Sequence, residues 1–469
     1  MSREKSFAKN TIILAIGTVL PKIAHLITLP IVTDELTKAE YGTYDLIATL
    51  VSLFLPIATL QVQTAAFRFL IDCKEDETGK KRVITNVVIF VILSSLLSLT
   101  LLFFALYKLD LIVRVLICVY FFTDILLLTF VQVVRGLSNP KLYSLCMSVQ
   151  PIVNMLLVVV LVYFVDGGLI GALIAMAAST TAALILVLAR GKILCNIDCR
   201  LLSKSMLKEL IDYSWPMIPN SLSLWMLHFS DRLVLLQFVG IEANAIYGAA
   251  NKIPSMYTLA NSAFTLAWQE NASVNLKDED SAAYYGNMFD NILRILAGIL
   301  AMLIAMTPIL FLVLIKGDYD AAYGQMALLL MAMFFSSISS FLGGIYVAHK
   351  RTKNVGSTTI IAAAINLVID LILVHSLEIY AASISTLVAY MFLALYRMKN
   401  IQSFQEIKFN YGSMIRYIAV LVVMSILLWM DIWYLDVVNV ILGTVFAVVS
   451  NRAMIKNIWK MVQKKLSKK

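Results

Sequence analysis

Charge is scarce in this sequence. Only 14% of its 469 residues are Asp, Glu, Lys or Arg, against about 25% in soluble domains. Hydrophobic residues make up 60% and the mean hydropathy is +0.85. A water-soluble enzyme of this length could not cover so much apolar surface, and a disordered chain would be far more polar. Cysteine is also rare. Cys73, Cys118, Cys146, Cys195 and Cys199 form no CxxC pair, and an odd number argues against a disulfide framework. With only four scattered histidines, the sequence offers no metal-ligand spacing. There is no GxxxxGK[ST] phosphate loop, no HExxH and no GxSxG elbow. ATP hydrolysis by a P-loop is thereby excluded. The segments between apolar runs are too short to build a soluble active site, so the chain reads as neither an enzyme nor a cofactor carrier.

What is present is a series of apolar runs. A spanning helix needs about 20 apolar residues, and fourteen segments qualify. They are Ala8–Val32, Tyr41–Phe67, Val83–Leu106, Leu111–Val134, Leu142–Val165, Gly167–Ala189, Tyr213–Val239 and Ala245–Gln269 in the first part of the chain. Asn291–Ile315, Ala322–Ala348, Val355–Val374, Tyr380–Tyr396, Ile415–Met430 and Trp433–Val449 follow. Segment length predicts helices rather than a barrel. The fold expected is all-α, a polytopic membrane protein. Arg3, Lys5 and Lys9 precede the first run, and no small-x-small cleavage site follows it, so it reads as a retained span.

The net charge of +9 is read through the loops. With the N-terminus inside, 28 of the 38 Lys and Arg fall on that side. Only Lys38, Lys108 and Lys316 fall on the other. That asymmetry places both termini in the cytoplasm, with the basic tail Arg452–Lys469 lying on anionic lipid; it does not point to nucleic acid.

The chain also matches itself at an offset of about 206 residues. Tyr41-Gly42 meets Tyr247-Gly248, Gln63 meets Gln269, Lys22 meets His228 and His25 meets Asp231. An offset of six spans predicts two parallel six-helix repeats enclosing a cavity, plus two C-terminal helices. The expected organisation is a lobe over 1–192, a cytoplasmic linker over 193–206, a second lobe over 207–400, and two extra spans with the basic tail over 401–469.

A charge near the bilayer centre costs roughly 2.5–3.5 kcal/mol on insertion scales, so the charges kept there are informative. Lys22, Asp124, Asp231, Arg232 and Lys252 lie inside spans. His228, Asp231 and Arg232 share one helical face, as do Lys22 and His25. Two readings stand side by side: a cationic cavity lined by Lys22, Arg232 and Lys252, or an Asp231–Arg232 pair that locks helices. Asp370 and Glu270 are candidate carboxylates for coupling to H+ or Na+. Pro21, Pro30, Pro216 and Pro219 break the same spans that carry these charges, which points to a transport path. The stripe Gly167, Gly171, Ala175 is a helix-packing pattern.

The sequence resembles the bacterial polysaccharide repeat-unit flippases (Wzx type) of the multidrug/oligosaccharidyl-lipid/polysaccharide exporter superfamily. The resemblance rests on Lys9-Asn10 through Leu29-Pro30-Ile31, Glu40-Tyr41-Gly42, Phe67-Arg68-Phe69, and Trp215-Pro216 through Asp231-Arg232. Tyr247-Gly248 and the run from Val355-Gly356 to Asn366 add to it. It implies alternating access and a cargo of undecaprenyl-pyrophosphate-linked oligosaccharide in the bacterial cytoplasmic membrane. It also implies glycosyltransferases and a polysaccharide polymerase as partners, serving capsule, O-antigen or exopolysaccharide assembly. The lumen charges of the family carry over to Arg68, Asp231 and Arg232, with Lys22 and Lys252 fitting by depth. The competing readings are a cation-coupled multidrug antiporter, a peptidoglycan-precursor flippase, and a membrane glycosyl polymerase. The last would need a long outer loop that is absent from the sequence.

Overall fold

The computed structural model describes residues 23–73, 75–274, 280–349, 351–452 and 456. Among them there are helices and connecting turns and no strand. Local chemistry sets the helix starts. Thr37 and Glu40 form a capping box at the head of α2 (Lys38–Ala58), following α1 (23–35). Asp76 caps α4 (Glu77–Ala105), which follows α3 (Val62–Asp72). Asn139 caps α6 (Pro140–Val158), with Pro140 in the first turn where its missing N–H costs nothing.

Two compact units result, Met1–Trp225 and Met226–Lys469. The first holds α1–α8 and the start of α9. Its core is built on α5 (Leu111–Gly136), which packs against α3, α4, α6 and α7 (Gly168–Gly191) through Ile117, Phe121, Ile125 and Phe130. The short α8 (Lys204–Ser214) lies back on α3 and α4. The Trp225 indole then donates to the Thr49 carbonyl at 3.2 Å and to Ser52 Oγ at 3.0 Å. These ties hold the first turns of α9 (Ile218–Phe238) in this unit.

The second unit continues through α10 (Ile241–Ala250), α11 (Lys252–Val274), α12 (Ser281–Leu314) and α13 (Asp320–Ala348). Then come α14 (Thr352–Leu377), α15 (Ile379–Ile401), α16 (Tyr411–Trp429) and α17 (Trp433–Ser450). Its centre is α13, against which Trp268 of α11 stacks on Phe341 at 4.2 Å and donates its indole N–H to that residue's carbonyl. The outward faces are apolar: Leu101, Phe104, Leu312 and Trp433 are all exposed. Lipid is the solvent in which such a surface carries no penalty.

Eleven helices among the described residues are long and apolar enough to cross a membrane. They correspond to spans two to six and nine to fourteen. Span one begins outside the described residues, and spans seven and eight carry some side chains that lie outside them; the backbone of the last two is helical over α9 and over α10–α11. Two expected boundaries are corrected. The run Tyr41–Phe67 is not one helix: Leu60 and Gln61 adopt left-handed backbone (φ 46° and 59°) and separate α2 from α3. The run Ala245–Gln269 is likewise interrupted, at Asn251.

The small-residue stripe packs as its pattern predicts. A Cβ on Gly171 would stand 2.8 Å from the Leu161 carbonyl oxygen. Gly171→Val should therefore force α7 away from the end of α6, an overpacking cost of about 1–3 kcal/mol. Thermal unfolding of the detergent-solubilised protein should show a midpoint several degrees lower. An unchanged midpoint would mean the helices separate there without loss.

Candidate functional site

The second unit keeps a polar cluster at a depth where polarity is costly. α9 contributes Ser230 and Asp231, α10 contributes Tyr247, α14 contributes Asn366 and Asp370, and α15 contributes Ser385 and Thr386. All are buried. Asp231 Oδ2 accepts from the Tyr247 hydroxyl at 2.6 Å and from the Thr386 hydroxyl at 2.7 Å. Ser230 donates to Asn366 Oδ1 at 3.0 Å, and the Asn366 amide donates to Ser385 at 3.2 Å.

One turn along α14 from Asn366 sits Asp370, 0% exposed. It lies close enough to Asp231 for the two carboxylates to interact electrostatically. Neither of its oxygens has a hydrogen-bond partner, and Asp231 Oδ1 has none either. Three carboxylate oxygens thus face one another's surroundings without donors. A buried carboxylate without donors, such as that of Asp370, costs several kcal/mol, and the half-satisfied Asp231 beside it adds to the cost. A proton, or a monovalent cation held by these oxygens, removes most of that cost. Oxygen-only ligands suit a hard ion rather than zinc or copper. Among the described residues there is no group of three or more His, Cys, Asp or Glu able to hold a metal.

The other expected site residues are distributed as follows. Arg232 is buried and lies over the Phe229 ring at 5.6 Å. Its neighbour Asp231 takes its hydrogen bonds from other helices, so the carboxylate serves an inter-helix network. Arg68 is half exposed and paired with Asp72, one turn on along α3. Asp124 is half buried on α5, one turn from the buried Tyr120, and His25 is exposed on α1. Lys252 is half buried at the head of α11. Lys22 and the side chains of His228 and Glu270 lie outside the described residues.

Sequence reasoning singled out Asp231 as an expensive charge and Asp370 as a candidate coupling carboxylate. It missed Ser230, Ser385 and Thr386 as their neighbours, because hydroxyls in membrane helices usually bond back to their own carbonyls. It also missed Arg397, which falls one residue past the expected span Tyr380–Tyr396. The Arg397 side chain is buried in α15 and donates to backbone carbonyls and hydroxyls.

The chain matches the family described as polysaccharide biosynthesis protein over residues 7–269. No curated protein sequence matches it. Among solved structures it is similar to the lipid II flippase MurJ in an inward closed conformation. The TM-score is 0.71 and the identity 13%, with 95% of this chain and 99% of that one covered. It is similar to an inward-facing multidrug resistance MATE family transporter of the MOP superfamily. There the TM-score is 0.61 and the identity 14%, covering 83% of this chain and 98% of that one. A MOP superfamily transporter from Pyrococcus furiosus aligns with a TM-score of 0.59 at 14% identity, over 85% and 96% of the two chains. The chain therefore shares the fold of these multi-helix membrane proteins.

Proposed function

The chain belongs to the polysaccharide biosynthesis protein family, and from that premise we propose that it is a lipid-linked oligosaccharide flippase. Its cargo is a polyprenyl-pyrophosphate, undecaprenyl in a bacterial cytoplasmic membrane, carrying a short sugar repeat. Glycosyltransferases supply that cargo on the inner leaflet, and a polymerase consumes it on the outer one. Both termini are cytoplasmic. The protein makes and breaks no covalent bond of its cargo.

The observation that carries this reading is the buried, incompletely satisfied Asp231–Asp370 cluster. A helical bundle gains no packing from it, and an ion-coupled carrier requires a site of this kind. Protonation or cation binding at the cluster neutralises it, and its release in a second conformation drives the cycle. Arg232 supplies a buried guanidinium suited to a pyrophosphate, and Lys252, Arg68 and Lys22 are further cationic contacts along the path. The acidic cluster would also serve a cation-coupled drug exporter; the family match favours the lipid-linked sugar.

Cells lacking the protein should accumulate lipid-linked oligosaccharide on the cytoplasmic leaflet. Their failure to do so would remove the flippase reading. Arg232→Gln, restored to such cells at matched membrane levels, should export about tenfold less. That is the effect of losing one charge-assisted contact of about 1–3 kcal/mol. Arg232→Lys should recover part of the rate, since it keeps the charge but not the fork. Full export by Arg232→Gln would take this residue off the cargo path.

A further inference from the structure

The interruption between α2 and α3 has no cause in its own sequence. Leu60 and Gln61 carry left-handed backbone, which costs roughly 1–3 kcal/mol for each such residue, and neither is glycine or asparagine. Around this break the first unit gathers uncharged polar groups. Gln61 Nε2 donates to Ser221 Oγ of α9 at 3.0 Å. Gln61 Oε1 accepts from Gln63 Nε2 at 3.2 Å and from Thr64 Oγ1 at 3.1 Å.

Gln61, Thr64 and Ser221 are half buried, so each keeps a reachable face. Gln63 is only 6% exposed, and its Oε1 has no partner at all. An amide presents two acceptor sites and two donors, and a hydroxyl presents both kinds. Much of that capacity is unused here. The nearest charged side chain on α3 is Arg68, seven residues or about 10 Å along the helix, and it is paired with Asp72. A pyrophosphate would call for cations at the break itself. Lipid would call for apolar groups. Mixed donors and acceptors without charge match a sugar ring, whose hydroxyls also donate and accept.

We propose that the α2–α3 break is a sugar subsite, in which Gln61, Thr64 and Ser221 bind hydroxyls of an oligosaccharide while Gln63 positions the Gln61 amide. The left-handed backbone at Leu60 and Gln61 turns the Gln61 side chain toward α9 instead of along its own helix. Trp225, hydrogen-bonded across to Thr49 and Ser52, fixes the stretch of α9 that carries Ser221. The identity of the ligand rests on the flippase reading; the uncharged, hydroxyl-rich chemistry rests on the site alone.

The test uses the full chain in lipid nanodiscs, titrated with the repeat oligosaccharide freed from its lipid by mild acid and, separately, with inorganic pyrophosphate. The wild type should bind the oligosaccharide. The double variant Gln61→Leu/Thr64→Val should bind it at least tenfold more weakly, with pyrophosphate affinity unchanged. Ser221→Ala, which leaves the break untouched, should weaken the sugar alone about threefold and keeps the test open if the double variant fails to fold. No oligosaccharide binding by the wild type, or equal binding by wild type and Ser221→Ala, overturns the subsite. So does a loss that falls equally on sugar and pyrophosphate. Sugar binding that behaves as expected, in a protein whose deletion leaves cargo translocation normal, would sustain the subsite and defeat the flippase reading.

Discussion

Asp370→Asn should abolish transport, by a hundredfold or more, in a protein that is inserted normally and is more stable than the wild type. The wild-type carboxylate is 0% exposed, lacks a donor on either oxygen, and faces the equally buried Asp231. An amide of the same shape removes the anion and with it the repulsion from Asp231. Replacing an uncompensated buried charge by a neutral group of similar volume is expected to stabilise by about 1–4 kcal/mol. The same change removes the group that must take up and release an ion, so the cycle stops.

Stability and activity thus move in opposite directions, a combination that a purely structural residue would not give. Proteoliposomes with an imposed proton or sodium gradient, together with a thermal melt, measure both. An Asn variant that transports at the wild-type rate with the same ion dependence would exclude Asp370 from coupling. Asp231→Asn should stabilise less, because Asp231 Oδ2 already accepts from Tyr247 and Thr386 and the carboxylate is partly satisfied.

The second large effect is expected at Arg397. Its Nη1 donates to the Ser339 carbonyl of α13 at 2.9 Å. Its Nη2 donates to the Val355 carbonyl and to Thr359, and Nε and Nη2 share Thr358, all on α14. A single guanidinium on α15 therefore ties three helices, and Gly343 leaves the room for it. Arg397→Ala strands these acceptors and opens a cavity, a loss of about 3–5 kcal/mol. That should lower the melting midpoint by about 10 °C. Arg397→Lys should recover little of it, since one ammonium cannot reach three directions at once. A Lys variant melting within two or three degrees of the wild type would show that charge alone suffices.

Much of the architecture was legible because apolar run length is a direct consequence of bilayer thickness. The break in the second span was not. Leu60-Gln61 carries none of the glycine, proline or asparagine that usually announces a left-handed turn, and tertiary contacts through Gln61 hold it there. Asp231 stood out as a charge too costly to keep without a purpose, and Asp370 as a candidate carboxylate for ion coupling. Asn366 stood one turn from Asp370 on the same face, but the meeting of Tyr247 and Thr386 at Asp231 depends on three helices packing together. Arg397 was misplaced because the apolar run stops at Tyr396 while the helix continues to Ile401. A guanidinium can follow its helix inside when carbonyls and hydroxyls await it. Adjacency suggested an Asp231–Arg232 pair but gave no sign of the inter-helix network that Asp231 joins through Tyr247 and Thr386, since those partners lie on other helices.

Glu40 carries a consequence for how the chain is assembled. One of its oxygens closes the capping box of α2, and the other accepts from the Leu169 N–H at the head of α7, 129 residues later. At a synthesis rate of roughly 5–20 residues per second, that second partner emerges on the order of ten seconds after the first. Until then only the capping-box half of the Glu40 carboxylate has its protein partner. Arrival of α7 supplies the Leu169 N–H to the other oxygen. Glu40 thus ties the heads of α2 and α7, a contact that cannot form before the first unit's α7 has been made.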